Sequence, residues 1–303
     1  MKNENLKNKT IAYLGPKGSY SEKAAKMVAN AEGKLLPLEP VDEVVESLVA
    51  RKSDLCVLPH YNSIAGYVQQ HLDLIYNHRL TILGVKRVSI ELCIGNYPGN
   101  SGKDDVYSHP KALQQCSKYL RENLPKARTI ETSSTSEAAE IVRNKKSGLA
   151  ICSIDALVSA PKLEIIAKDI GNIPGTQNYT DFYVVCKETD AKAYENYAGN
   201  SVDKNKCLTM VAITPHVDEI GLLSDILSQI RYHNLNMTDI HSRPAIDKVN
   251  IENNNEPKMF YIEIEGHKSS ENFVRAMDAI SWKLSPEGKQ LEIVRIMGSY
   301  ENI

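Results

Sequence analysis

The stretch Ile11-Ala12-Tyr13-Leu14-Gly15-Pro16-Lys17-Gly18-Ser19-Tyr20-Ser21 decides how the chain is read. A strand-sized apolar run ends in a turn of glycine, proline and serine, and helical spacing follows to Ala29. A strand that feeds a helix through such a turn is the building unit of α/β folds. The design returns at Tyr107-Ser108-His109-Pro110, which opens a helix to about Leu120. It returns again at Thr132-Ser133-Ser134-Thr135-Ser136, before a helix to Val142. Leu55–Leu58, Leu80–Cys93, Leu149–Cys152 and Phe182–Cys186 read as further strands; Val68–Ile75 and Ser153–Ser159 read as helices.

Beyond Cys186 the composition changes. Lys187 to Lys206 is polar and charged without an apolar period, as linkers are. A compact pattern follows: strand Cys207–Thr214, helix Gly221–Tyr232, strand Met237–Ser242, polar hairpin tip Asp247–Glu256, strand Lys258–Glu265, helix Ser269–Leu284 and strand Leu291–Met297. That order, βαββαβ, is the split ferredoxin-like arrangement. The expected organisation is therefore α/β, with a first domain over 1–188, a linker over 189–206 and a C-terminal domain over 207–303.

Bulk properties exclude several classes of protein. The 303 residues carry 36 basic and 38 acidic side chains, a balance that offers no general field for nucleic acid or an anionic membrane. No apolar run approaches a membrane span, and Met1–Thr10 lacks the apolar core of a signal peptide. The six cysteines are scattered without a CxxC pair, which suits buried reduced thiols and a cytoplasmic location. Neither a P-loop nor a GxGxxG fingerprint occurs, and no His/Cys ligand set is clustered, so neither metal nor cofactor is expected.

The strand-to-helix turns carry the first chemical expectation. Each presents backbone N–H groups and hydroxyls at the positive end of a helix, which suits a small anion. Plain capping by Ser, Thr and Pro explains the same residues without a ligand. Two further polar loops sit at strand ends, Pro59-His60-Tyr61-Asn62-Ser63 and Gln177-Asn178-Tyr179-Thr180-Asp181. Ordinary turn chemistry accounts for Asn178 and Thr180 equally well.

Taken in order, these segments resemble the prephenate dehydratases. Residues 11–21 look like the family's opening motif, 106–116 its Ser-His-Pro motif with Gln115, and 132–135 the next; Asn178-Tyr179-Thr180-Asp181-Phe182 stands where the family has Asn-x-Thr-Arg-Phe. In the C-terminal part, Ile220-Gly221-Leu222-Leu223 stands at a Gly-Ala-Leu motif and His241-Ser242-Arg243-Pro244 at Glu-Ser-Arg-Pro. The resemblance implies a two-lobed, periplasmic-binding-protein-like catalytic domain. Lobe 1 would cover about 1–85 plus 176–188 and lobe 2 about 86–175, ahead of an ACT regulatory domain.

It further implies decarboxylating dehydration of prephenate to phenylpyruvate in L-phenylalanine biosynthesis, by a cytoplasmic homodimer or homotetramer. Thr180, Asn62, Gln115 and Ser108 become the catalytic candidates. Ser19, Tyr20, Ser21, Tyr61, Ser63, His109, Ser133, Ser134, Thr135, Asn178 and Phe182 become the substrate contacts. Gly221, Leu222, Leu223, Asn236, Met237, Thr238, His241, Ser242, Arg243 and Pro244 would bind an amino-acid effector, L-phenylalanine first. Against the family pattern, Tyr61 replaces a glutamate, Asp181 an arginine, Lys111 a glutamine and His241 a glutamate. A phenol is a weak acid at neutral pH, and a carboxylate facing the cleft would repel a dianion. These departures keep two alternatives open: a prephenate decarboxylase that does not aromatise the ring, or an inactive small-acid sensor. They also suggest restoring the family residue types with Tyr61→Glu and Asp181→Arg.

Overall fold

The structure is a computed structural model and describes residues 8–29, 33–99, 105–160, 162–194, 206–215, 219–244, 258–285 and 292–301. The chain opens with β1 (Thr10–Leu14), α1 (Tyr20–Ala29), β2 (Lys34–Leu38), α2 (Val41–Val49), β3 (Leu55–Asn62), β4 (Gly66–Tyr67), α3 (Gln69–Asn77) and β5 (Leu80–Ser89). It continues through β6 (Leu92–Asn96), β7 (Asp105–Ser108), α4 (Pro110–Gln115), α5 (Ser117–Asn123), β8 (Arg128–Glu131), α6 (Thr135–Lys145), β9 (Leu149–Ser153), α7 (Ile154–Ser159) and β10 (Glu164–Ala167). A long β11 (Tyr179–Lys187) then returns to the first sheet.

Two mixed sheets result. The first has the order β2-β1-β3-β11-β5, with β4 hairpinned onto β3; the second has the order β10-β6-β9-β7-β8. β1 runs parallel to both β2 and β3, and β7 parallel to both β8 and β9. Helices cover these strands, so central positions are apolar on both faces. Ile11, Ala12, Tyr13, Leu55, Cys56, Val57, Tyr183 and Val184 are all 0% exposed. All six cysteines are buried and reduced, and burial pushes the Cys116 and Cys186 thiols up to about 12.

The last third forms β12 (Cys207–Ile213), α8 (Leu222–Tyr232), β13 (Met237–Pro244), β14 (Lys258–Glu265), α9 (Glu271–Leu284) and β15 (Val294–Glu301). Its antiparallel sheet has the order β13-β14-β12-β15. That is the ferredoxin-like strand order expected from the sequence. Val211, Ile213, Phe260, Ile262 and Ile264 on one face meet Leu222, Ile226 and Ile230 of α8 and Phe273, Met277 and Ile280 of α9.

By packing, the chain divides into Met1–Val68 with Lys86–Val184, and Gln69–Val85 with Val185–Ile303. Thus α3 and the first half of β5 pack with the C-terminal sheet. Arg295 of β15 donates to the carbonyls of Tyr76 and Leu80.

Some elements differ from the sequence reading. The amphipathic run Val41–Val49 and the strand Lys34–Leu38 were not anticipated. The helix expected over 110–120 is two short helices broken at Cys116. Asn172 fills the break: its Nδ2 donates to Gln114 O and Ser117 Oγ, and its Oδ1 accepts from Lys118 N. A side chain more than 50 residues away in sequence thus replaces local helical bonds. The expected linker begins instead with a 3-10 turn, Glu188–Tyr194. The hairpin tip Asp247–Glu256 and Leu291, the expected start of the last strand, lie outside the described residues.

Gly298 offers a test of this packing. Its φ is +154°, and a Cβ there would overlap the Ile82 carbonyl. Gly298→Ala should therefore lower the thermal midpoint of the C-terminal unit by about 5 °C or more, read by calorimetry.

Candidate functional site

Asn62 closes β3 and uses its whole side-chain amide. Nδ2 donates to Tyr179 O (3.0 Å) and Thr180 Oγ1 (2.9 Å), while Oδ1 accepts from Ile64 N (3.1 Å) and Ala65 N (2.8 Å). Both donors and both acceptor sites are satisfied, so Asn62 positions its neighbours. Because Thr180 Oγ1 accepts from Asn62, its own O–H is left to donate elsewhere. Ser63 ties the same two loops: its N–H donates to Tyr179 O, its Oγ donates to Gln177 O and accepts from Tyr179 N, all at 3.0 Å.

Beside this corner lies a cleft of ≈ 400 Å³, lined by Ile64, Ala65, Lys111, Gln114, Gln115, Asn172, Ile173 and Asn178. The isoleucines give apolar walls, the amides give donors and acceptors, and Lys111 gives a cation. Asn178 is 2% exposed, and its Oδ1 has no hydrogen-bond partner among the described residues. A buried acceptor left unpaired in a cleft is costly unless a ligand donor meets it. Such a lining suits a small acid with an apolar ring.

At each of the three helix starts the chain supplies a capping partner of its own. At α1 the chain's own Glu22, 8% exposed, takes the N–H of Gly18 (2.6 Å) and forms an ion pair with Lys26. At α6, Glu137 takes both the N–H and the hydroxyl of Ser133 (2.7 Å each), while Ser134 Oγ accepts from Glu137 N. That is a capping-box exchange, and those hydrogen bonds hold the Glu137 carboxyl below its ordinary range. At α4, the His109 ring caps Lys111 N. Plain capping accounts for all three.

Other candidates have structural roles. Ser108 is 0% exposed and donates to Ile151 O at 2.6 Å, so its hydroxyl does not face the cleft. Ser19 caps Glu22 N. Tyr20 OH donates to Glu91 O and Ser153 Oγ to Gly18 O, so the first motif is tied to the segments that enter and leave the second sheet. Gly18 has φ +82°, and a Cβ there would crowd Ala156. Ser21 and Phe182 are buried at 8% and 2% exposure, and Thr135 opens α6 half-buried. Of the candidates, Asn178 and Gln115 line the cleft, while Asn62 and Thr180 sit at the corner beside it; Lys111, Gln114 and Asn172 line it from outside the candidate set.

In the C-terminal unit, His241 and Arg243 turn onto α3. Arg243 donates to Asp73 through Nε (3.0 Å) and Nη2 (2.5 Å), and Tyr261 OH donates to the other Asp73 oxygen. His241 meets Gln69 at 3.2 Å and Asp239 at 2.6 Å. These contacts engage both side chains within the unit. Leu222 is buried in the core, Met237 packs against it, and Thr238 donates to Glu263. Gly221, Leu223, Asn236, Ser242 and Pro244 stay exposed. Gly221, at φ +92°, starts α8 with no side-chain cap and open space around it.

Comparison with known proteins decides the family, because the prephenate dehydratase family model matches residues 11–190. The chain belongs to the prephenate dehydratase family. It is 33% identical to the prephenate dehydratase of Lactococcus lactis over 81% of this chain and 88% of that one. It is 28% identical to a bifunctional chorismate mutase/prephenate dehydratase of Aquifex aeolicus, covering 96% of this chain and 73% of the relative. Among solved structures, a prephenate dehydratase from Arthrobacter aurescens in complex with L-Phe superposes with a TM-score of 0.80 at 26% identity, over 97% of this chain and 90% of that one.

The departures from the prephenate dehydratase pattern take on a different meaning in three dimensions. Successive strand residues point to opposite faces. Asn62 and Thr180 meet on one face, whereas Tyr61 and Tyr179 meet on the other, ring centroids 6.1 Å apart. Asp181 shares the Tyr179 face and pairs with Arg87 through two 2.8 Å bonds. Neither Tyr61 nor Asp181 faces the Thr180 side, so the repulsion of a dianion anticipated from Asp181 does not arise. Asp181→Arg would set a second cation beside Arg87, which removes the rationale for pairing it with Tyr61→Glu alone.

Ser108→Ala separates structural from catalytic use of the Ser-His-Pro motif. It should cost about 1–2 kcal/mol of stability, because Ile151 O loses its donor. Turnover in the folded variant should stay within a few-fold of wild type, checked by denaturant titration alongside steady-state kinetics.

Proposed function

We propose that the chain is a prephenate dehydratase whose chemistry rests on Thr180. The observation that carries this reading is the Asn62–Thr180 bond beside the cleft: it fixes the hydroxyl oxygen as an acceptor and leaves the proton to donate. In the reaction the bond from the ring to its carboxylate breaks and CO2 leaves. The electron pair enters the ring, and the opposite C–O bond breaks as the ring aromatises. The departing oxygen leaves as hydroxide, held by the Thr180 O–H, and becomes water with a proton drawn from solvent. Asn178 Oδ1 accepts the hydrogen of the same ring hydroxyl beforehand. Lys111 and the Gln115 amide hold the pyruvyl carboxylate, a handle whose charge persists through the step.

The rival readings, a non-aromatising decarboxylase or an inactive sensor, drew on Tyr61 and Asp181, and those residues lie away from the Thr180 face. Incubation with prephenate should yield phenylpyruvate, followed by its absorbance. Thr180→Ala should lower turnover by about two to four powers of ten. Near-normal turnover in a folded Thr180→Ala protein would remove Thr180 from the mechanism.

The C-terminal unit we read as an ACT regulatory domain that binds an amino acid across a homo-oligomer interface in the cytoplasm, with homodimer and homotetramer both compatible. Support comes from the ferredoxin-like topology, the uncapped start of α8 at Gly221 and the L-Phe bound to the Arthrobacter relative. The ligand carboxylate would approach the N-terminal N–H groups of α8, with Leu223 and Asn236 nearby. Calorimetry with phenylalanine, tyrosine and tryptophan should give heat with phenylalanine first. Absence of heat for all three, with unchanged sedimentation, would leave a purely structural domain.

A further inference from the structure

Thr180 is the second residue of β11, just after the exposed stretch Asn172 to Pro174 and the polar loop that ends at Asn178. Strand ends fray, so a hydroxyl there needs support to keep its direction. On one face Asn62 holds it. On the opposite face both of its neighbours are held by a single side chain, Arg87 of β5. The Arg87 guanidinium lies 3.9 Å over the Tyr179 ring and binds Asp181 through two 2.8 Å bonds. Asp181 has an 8% exposed side chain, so it depends on that cation; Arg87 itself is 40% exposed. Without the cation, the buried carboxylate would be driven toward water and would take residues 179–181 with it.

We propose that Arg87 is a positioning residue for the dehydration: by clamping Tyr179 and Asp181 from behind, it holds the Thr180 hydroxyl on the Asn62 side of β11, at the corner beside the cleft. The geometry also explains the paired departures at 61 and 181. Position 61 on β3 and position 87 on β5 flank β11 on either side, and both side chains reach the Tyr179 face. A glutamate at 61 and an arginine at 181 would share the Tyr179 face as opposite charges on the neighbouring strands β3 and β11. In this chain the pair lies across β11 and β5 instead, with the sign at 181 reversed. The support for the catalytic strand is kept by a different partner strand, and this leaves room for Tyr61 to pack against Tyr67 (4.7 Å) and Tyr179.

The inference rests on the dehydratase reading above, and kinetics on the intact protein separates the two. Arg87→Ala should lower kcat for phenylpyruvate formation by about 10- to 100-fold with KM within about 3-fold, as expected when orientation is lost and binding is kept. Arg87→Lys, which keeps charge but neither the fork nor the stacking, should fall between it and wild type. The discriminating measurement is the cycle with Thr180→Ala: in that background, Arg87→Ala should cost no more than about 2-fold, since its effect passes through a group already removed.

Tyr61→Glu with Asp181→Arg should depress kcat while Arg87 remains, and adding Arg87→Leu should recover most of it. Should Arg87→Ala fail to fold, Arg87→Lys and Asp181→Asn carry the same cycle. Equal losses in the wild-type and Thr180→Ala backgrounds, a loss confined to KM, or normal turnover in folded Arg87 variants would overturn the inference alone. A wild-type protein inactive on prephenate would overturn the dehydratase reading and this inference with it.

Discussion

The side-chain amide of Asn62 joins segments 117 and 118 residues apart in sequence. Its four hydrogen bonds fold the 62–65 loop onto the start of β11 and set the orientation of Thr180 in the same act. One side chain makes all four bonds, so its loss would release the 62–65 loop and the start of β11 together. The cleft depends on it directly. Ile64 and Ala65 reach the cleft wall because their N–H groups are turned inward to Asn62 Oδ1, and Asn178 reaches it because Ser63 and Ile90 fix the backbone on both sides.

A strand with side chains alternating across two faces can serve two purposes at once. Along 179–182 of β11, Thr180 faces Asn62 while Tyr179 and Asp181 face Arg87. The Asp181 charge is answered on its own face by Arg87. Lys111 in the cleft adds a positive charge where an anionic substrate would enter.

The C-terminal unit shows the same economy of side chains. Its helices cover one face of the sheet, while Tyr261 and Arg243 converge on Asp73 of α3. The helix so held begins at Gln69, and in the chain it follows the 62–67 hairpin that carries Asn62. Among the exposed positions near α8, Gly221 combines a positive φ with open space, the backbone requirement for close approach of a ligand.

By itself the sequence determined the α/β character of the first part, the βαββαβ order of the last and the ordered motifs around Thr180, Asn62 and Gln115. These are set by local periodicity, turn chemistry and residue identity, which neighbours in sequence express directly. It could not decide which helix start was free: Glu22 and Glu137 fill two of them, and only the folded turn brings those carboxylates back onto Gly18 and Ser133. Nor could it foresee Asn172 splitting the 110–120 helix, Arg87 answering Asp181, or α3 packing with a sheet that follows it by well over a hundred residues. Each of these is a contact between residues distant in the chain. A motif names the side chain, but the fold alone supplies its partner, and the partner decides whether a charge repels a substrate or holds a strand in place.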